Sequence, residues 1–220
     1  MTKAVTEEKT SVKIPADGVT INGNLAVPRG AKGIVLFAHG SGSSRFSPRN
    51  TRVANEINAA GMGTLLIDLL TSEEEEIDEA TGQFRFDIDL LSKRLRAATQ
   101  WLKKNLATKN LAVGYFGAST GAAAALIAAA KLPDGIKSVV SRGGRPDLAS
   151  EYLGKVTAPT LFIVGGRDTE VIELNRQAME RIRSEKKLEI VPGATHLFEE
   201  SGALEEVARL AIDWFSKHFG

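Results

Sequence analysis

The chain has 220 residues, enough for one sizeable domain that buries a full core without covalent staples. Its 28 basic and 27 acidic residues nearly cancel, which leaves no electrostatic footprint for nucleic acid or an anionic membrane surface. Cysteine is absent, so disulfides and a thiol nucleophile are both excluded, and a reducing compartment is permitted.

The opening stretch, MTKAVTEEKT, is polar and lacks the apolar core of a signal peptide. No run approaches the roughly 20 apolar residues of a membrane span. The expectation is one soluble domain over residues 1–220, cytoplasmic in location.

Val12 to Val27 reads as an antiparallel hairpin, with Asp17-Gly18 as the turn and Val19, Ile21, Leu25 and Val27 sharing one face. Gly33 to Ala38 is continuously apolar, the pattern of a strand buried on both faces. It runs into a loop, HGSGSSR, after which Ser47 and Pro48 suit the cap and first residue of a helix. Val53 and Ile57 give that helix an inward stripe, and Gly61-Met62-Gly63 ends it. Thr64 to Leu70 is a second buried strand.

Thr71 to Asp87 reads as a long irregular piece, and its Glu73–Glu76 run as a solvated loop or a rim over a site. Ile88, Leu91, Leu95, Ala98 and Leu102 then recur at helical spacing. Leu111 to Phe116 is apolar and passes through Gly117-Ala118-Ser119-Thr120-Gly121 into an alanine-rich helix. IKSVVS, TLFIVGG and KLEIVPG supply three more strands. A helix is expected over roughly Asp147 to Leu153, and another with Val171, Leu174, Ala178 and Ile182 inward. A last helix carries Leu204, Val207, Ala211 and Trp214. A hairpin followed by alternating strands and helices, eight strands in all, makes an α/β fold with a mostly parallel sheet and helices on both faces.

In such a sheet the site lies beyond the carboxyl ends of the strands. The G-x-S-x-G stretch puts one serine, Ser119, at the apex of a strand–turn–helix elbow, where the hydroxyl stands clear and the helix N-terminus lies beneath it. Past the later strands come Asp168 and then His196, 49 and a further 28 residues along the chain. The order Ser119, Asp168, His196 belongs to the α/β-hydrolase arrangement among the convergent triads. The chemistry needs these types. A serine hydroxyl attacks only when a base takes its proton, and an acid on the far ring nitrogen fixes the tautomer of that base. The oxyanion would be held by the backbone N–H of Thr120 and by the loop after the third strand, with Ser41 the first choice and Gly42 the second. Asp134 and Asp147 compete with Asp168, and a structural role is favoured for His39.

The sequence resembles the α/β-hydrolase superfamily and, within it, the dienelactone-hydrolase-like proteins. The likeness runs from VKIPADGVTINGNLAVP through HGSGSSR, FGASTG, LFIVGGRD and ATHLFEE. It implies Ser119 as nucleophile, Asp168 as acid and His196 as base, with no cofactor and no metal. Dienelactone hydrolases proper use a cysteine nucleophile where this chain has Ser119, which favours a general carboxylesterase acting on small soluble esters. Thioesters and lactones are alternatives, as is a non-catalytic or engineered protein of the same fold. Arg142 to Pro159 is too short for a helical cap, so an open pocket is expected. Arg45, Arg142 and Arg145 lie at strand ends, where surface positions are favoured over anion binding. The implied partner is a small-molecule ester, with no nucleic acid or membrane; the sequence leaves the oligomeric state open.

Overall fold

The computed structural model describes residues 9–220, so most of the polar opening stretch lies outside it. Among these residues eight strands form one sheet: β1 (Thr10–Ala16), β2 (Val19–Ala26), β3 (Gly33–Ala38), β4 (Gly63–Ile67), β5 (Ala112–Ala118), β6 (Ser138–Arg142), β7 (Thr160–Gly165) and β8 (Lys186–Val191). Their spatial order is β1-β2-β4-β3-β5-β6-β7-β8. The first two strands run antiparallel to each other, β2 pairs antiparallel with β4, and the rest of the sheet is parallel. No helix among the described residues is long and apolar enough to cross a membrane.

The described residues form six α-helices: α1 (Pro48–Ala59), α2 (Ser72–Thr81), α3 (Ile88–Lys104), α4 (Thr120–Lys131), α5 (Thr169–Arg181) and α6 (Ala203–His218). Alternation along each strand sorts side chains between two cores. On one face Phe37, Phe116 and Val140 pack with Val53 and Ile57 of α1 and with Val207, Ala211 and Phe215 of α6. On the other, Leu36, Tyr115 and Val139 meet Leu95 and Ala98 of α3 and the alanines of α4. Ala122 to Ala125 are all fully buried, and the absence of bulk lets this helix lie close under the central strands.

Three expectations about secondary structure and helix faces need correction. The stretch from Thr71 to Asp87 is mostly helix, because Thr71 and Glu74 form a reciprocal capping box. The Thr71 hydroxyl accepts the Glu74 N–H at 3.1 Å, and a Glu74 carboxylate oxygen accepts the Thr71 N–H at 2.8 Å. Glu74 also pairs at 2.6 Å with the buried Arg94 of α3, so part of the acidic run is tied down rather than solvated. Second, the segment from Asp147 to Leu153 holds two short 3-10 turns, Pro146–Ala149 and Leu153–Lys155, in place of one helix. Third, Leu174 is only half-buried on α5. Asn175 is buried beside it, donating to the carbonyls of Gly144 at 3.0 Å and Val171 at 2.7 Å.

Candidate active site

Ser119 joins β5 to α4 with φ 50° and ψ −120°, a backbone conformation that L-residues rarely adopt. The neighbours hold it there. Its N–H donates to the Arg142 carbonyl at 3.2 Å, and its own carbonyl accepts from Ala122 at 3.1 Å and Arg145 at 3.2 Å. The flanking glycines are steric requirements. A Cβ on Gly117 would sit 2.4 Å from the Ala122 Cα, and one on Gly121 would sit 2.3 Å from the Ala38 carbonyl oxygen. The turn can therefore close only with hydrogen at both positions.

Asp168 immediately precedes α5 just past β7, and His196 lies in the loop after β8. The His196 Nδ1–H donates to Asp168 Oδ2 at 2.6 Å, which leaves Nε2 as the basic nitrogen of the neutral ring. Two backbone bonds lace the loops that carry them: Gly166 N–H to the Val191 carbonyl at 2.8 Å, and Arg167 N–H to the Ala194 carbonyl at 2.9 Å. The competing Asp147 is engaged elsewhere, forked by Arg145 at 2.9 and 2.7 Å.

The loop after β3 passes close to Ser119, since a Cβ on Gly40 would lie 3.2 Å from the Ser119 Cβ. The Ser41 and Thr120 hydroxyls are 3.1 Å apart, so the two candidate oxyanion residues are neighbours. His39 is structural here. Its Nδ1–H donates to the Gly40 carbonyl at 2.9 Å, and its Nε2 accepts the Leu69 N–H at 3.0 Å. Burial pushes its pKa down, with the Gly40 bond and the Asp68 charge opposing.

Ser119 and His196 line one cavity of about 220 Å³, together with Gly40, Ser41, Asn50 and Arg142. Arg142 corrects the expectation of a surface arginine, being 7% exposed. Burial, and then the nearby Arg49 charge, pulls its pKa down to about 10. The acidic segment does not border this cavity. It walls a smaller one of about 60 Å³, also lined by Ser41 and Thr120, through Glu75, Asp78 and Glu79. Among the described residues no group of three or more acidic or histidine side chains is placed to hold a metal.

Sequence reasoning missed two residues that set the histidine loop. Phe198 is fully buried with φ 56°, and its N–H donates to the Thr195 carbonyl at 3.2 Å. Both carboxylate oxygens of Glu200 accept the Thr195 N–H at 3.1 Å. Hydrogen bonding from Thr195, reinforced by the Glu200 N–H, holds the Glu200 pKa below its ordinary value. A T-x-x-x-x-E spacing carries no common signature. The Thr71-x-x-Glu74 box does.

The family model described as the dienelactone hydrolase family matches residues 21–219. A crystal structure of a dienelactone hydrolase from Anabaena variabilis is 57% identical, covering 96% of this chain and 98% of that one, with a TM-score of 0.95. At 17% identity, Est1E from Butyrivibrio proteoclasticus has the same fold, with a TM-score of 0.79 over 94% of this chain and 98% of its own. A curated Mycobacterium tuberculosis protein with the provisional name phosphoribosyl transferase is 56% identical over 207 residues. That match covers 94% of this chain and 46% of the relative, so the chain spans about half the length of the curated relatives it matches.

Proposed function

Because the chain belongs to the dienelactone hydrolase family, we propose that it is a serine hydrolase of small carboxylic esters, working through an acyl-enzyme on Ser119. The observation that carries the reading is the 2.6 Å bond from His196 Nδ1 to Asp168, with His196 and the strained Ser119 lining one cavity. That bond commits Nδ1 as a donor and reserves Nε2 for the serine proton.

In this mechanism Ser119 Oγ attacks the ester carbonyl while His196 Nε2 takes its proton. Asp168 stabilises the imidazolium and holds the ring in place. The oxyanion accepts hydrogen bonds from the backbone N–H of Thr120 and of Ser41. Collapse expels the alcohol, which takes the proton from His196. A water then attacks the acyl-enzyme with the same histidine as base, and acid and free Ser119 are the products. Thioesters and lactones can enter by the same steps. The transferase name of the mycobacterial relatives belongs to proteins about twice as long as this chain.

The test is Ser119→Ala, assayed on p-nitrophenyl acetate beside labelling with a fluorophosphonate probe. The variant should lose labelling and nearly all turnover, keeping a residual rate of at most about 10³–10⁴-fold over water from oxyanion binding. Turnover at the parent rate would refute the assignment.

A further inference from the structure

An ester carries two arms on its carbonyl carbon, and the loop after β3 borders two cavities. One, of about 220 Å³, holds Ser119 and His196; the other, of about 60 Å³, holds Thr120. Gly40, Ser41 and Ser43 line both. The hydroxyls of Ser41 and Thr120 meet at 3.1 Å, so the two residues whose N–H groups are assigned to the oxyanion both border the smaller cavity.

The walls of that cavity are apolar on some sides and acidic on others. Leu69 and Leu70 follow β4, and the Leu69 N–H is held by His39 Nε2 at 3.0 Å. Leu91 of α3 is buried against them in the same core. Asp68, Glu75, Asp78 and Glu79 supply the carboxylates. Asp78 is engaged by the loop after α2: its Oδ1 accepts the N–H groups of Phe84 at 2.7 Å and Arg85 at 2.9 Å, and its Oδ2 accepts from Arg85 Nε at 2.7 Å. Asp68 is engaged by Arg45. Glu75 has no such partner among the described residues. Burial, with the charges of Asp68, Glu79 and Asp78, pushes its pKa up, and Arg45 opposes.

The leaving alcohol takes its proton from His196 Nε2, which puts the alcohol arm in the His196 cavity. The acyl arm is the one left for the smaller cavity. We propose that this cavity is the acyl subsite, in which Leu70 limits the length of the acyl chain and Glu75 turns away acyl groups that end in a carboxylate. The assignment rests on the hydrolase reading above and adds a substrate class to it: esters of short, uncharged acyl groups. A volume of about 60 Å³ holds roughly four water-sized groups, so a butanoyl chain fits and a much longer one must leave the cavity. Each methylene that the leucines cover should raise kcat/KM about fourfold. An anionic acyl group would give up its water and meet a carboxylate of its own sign.

The experiment measures kcat/KM on p-nitrophenyl esters, which share one alcohol and differ only in the acyl arm, after subtraction of the uncatalysed rate. In the parent protein, hydrogen succinate should fall at least about fivefold below its neutral isostere, 4-oxopentanoate. Leu70→Phe fills the cavity and should cut the ratio of butyrate to acetate at least about fourfold. Leu70→Ala should carry the rise with chain length on to hexanoate. Glu75→Gln should raise the ratio of succinate to 4-oxopentanoate at least about fivefold. A second series, acetates of alcohols of increasing size, tests which arm is affected. Its order of preference should be the same in Leu70→Phe as in the parent.

The proposal is overturned if Leu70→Phe leaves the acyl profile unmoved, or moves the alcohol profile in its place. It is overturned as well if the parent cleaves the succinate ester as fast as the 4-oxopentanoate. Should the Leu70 variants fail to fold, the half-buried Glu75 decides: an unchanged ratio in Glu75→Gln rejects the subsite, and the expected rise supports it. If the parent cleaves none of these esters, or Ser119→Ala cleaves them at the parent rate, the hydrolase reading falls and the subsite falls with it. Cleavage that depends on Ser119 but shows an unmoved acyl profile rejects the subsite alone.

Discussion

Glu74 uses its two carboxylate oxygens for two different tasks: Oε2 accepts the Thr71 N–H at 2.8 Å and Oε1 pairs with Arg94 at 2.6 Å. One side chain therefore starts α2 and fastens it to α3. Arg94 also donates to the Ala16 carbonyl at the end of β1, so the same contact reaches the hairpin edge of the sheet.

Removing that carboxylate should be costly, because Arg94 is buried and would keep its charge without its partner. Glu74→Ala is expected to destabilise the fold by about 3 kcal/mol, within the range for breaking a buried pair. For a chain of this size that is a fall in Tm of roughly 6–12 °C. Thermal unfolding of the variant checks it, and a shift below about 2 °C would show that the pair is not structural.

Gly121 allows the elbow to close. Gly121→Ala places a methyl 2.3 Å from the Ala38 carbonyl oxygen and 2.4 Å from that of His39, both of them backbone atoms. The expected cost is about 1–3 kcal/mol from overpacking, with loss of hydrolysis as Ser119 is displaced. Denaturant unfolding beside an esterase assay measures the two effects separately. A variant of parent stability and parent activity would mean that the elbow can relax at no cost.

His39 predicts a pH effect on stability. Its pKa is lowered by burial from an ordinary 6.5, so the unfolded chain takes up a proton that the folded ring resists. Stability from this source is complete above pH 6.5 and is lost as pH falls toward the lower folded value, by at most about 1.4 kcal/mol per pH unit. Protonation of Nε2 would also forfeit the bond from Leu69. His39→Gln should unfold with a shallower pH dependence between pH 6.5 and 5 than the parent. Identical slopes would exclude His39 as the source.

Acyl length is the fourth test. Between β6 and β7 the chain makes only two short 3-10 turns, so no helical cap covers the Ser119 cavity from that connection. Burying a methylene contributes roughly 0.8 kcal/mol, but only where there is a wall to bury it against. We expect kcat/KM for p-nitrophenyl esters to rise from acetate to about butyrate and then to level or fall by octanoate. A steady rise through decanoate would reveal a deep acyl tunnel.

The alternation of strands and helices along the chain, the strand–turn–helix at Ser119 and the common edge of Asp168 and His196 were legible in the sequence because each depends on local pattern. Continuous apolar runs identify strands covered on both faces, and a parallel sheet sends all their carboxyl ends to one edge. Residues that follow such runs must meet there, however far apart they are in the chain. Glu74 and Arg142 show what such patterns cannot decide. Four consecutive glutamates look like a solvated run until Arg94, 20 residues away, is known to face one of them. Arg45, Arg142 and Arg145 look alike at strand ends. What distinguishes them is whether the fold brings a carboxylate within reach, as it does for the first and third through Asp68 and Asp147. The energy of a charge depends on burial and on its partners, and both are properties of the tertiary structure.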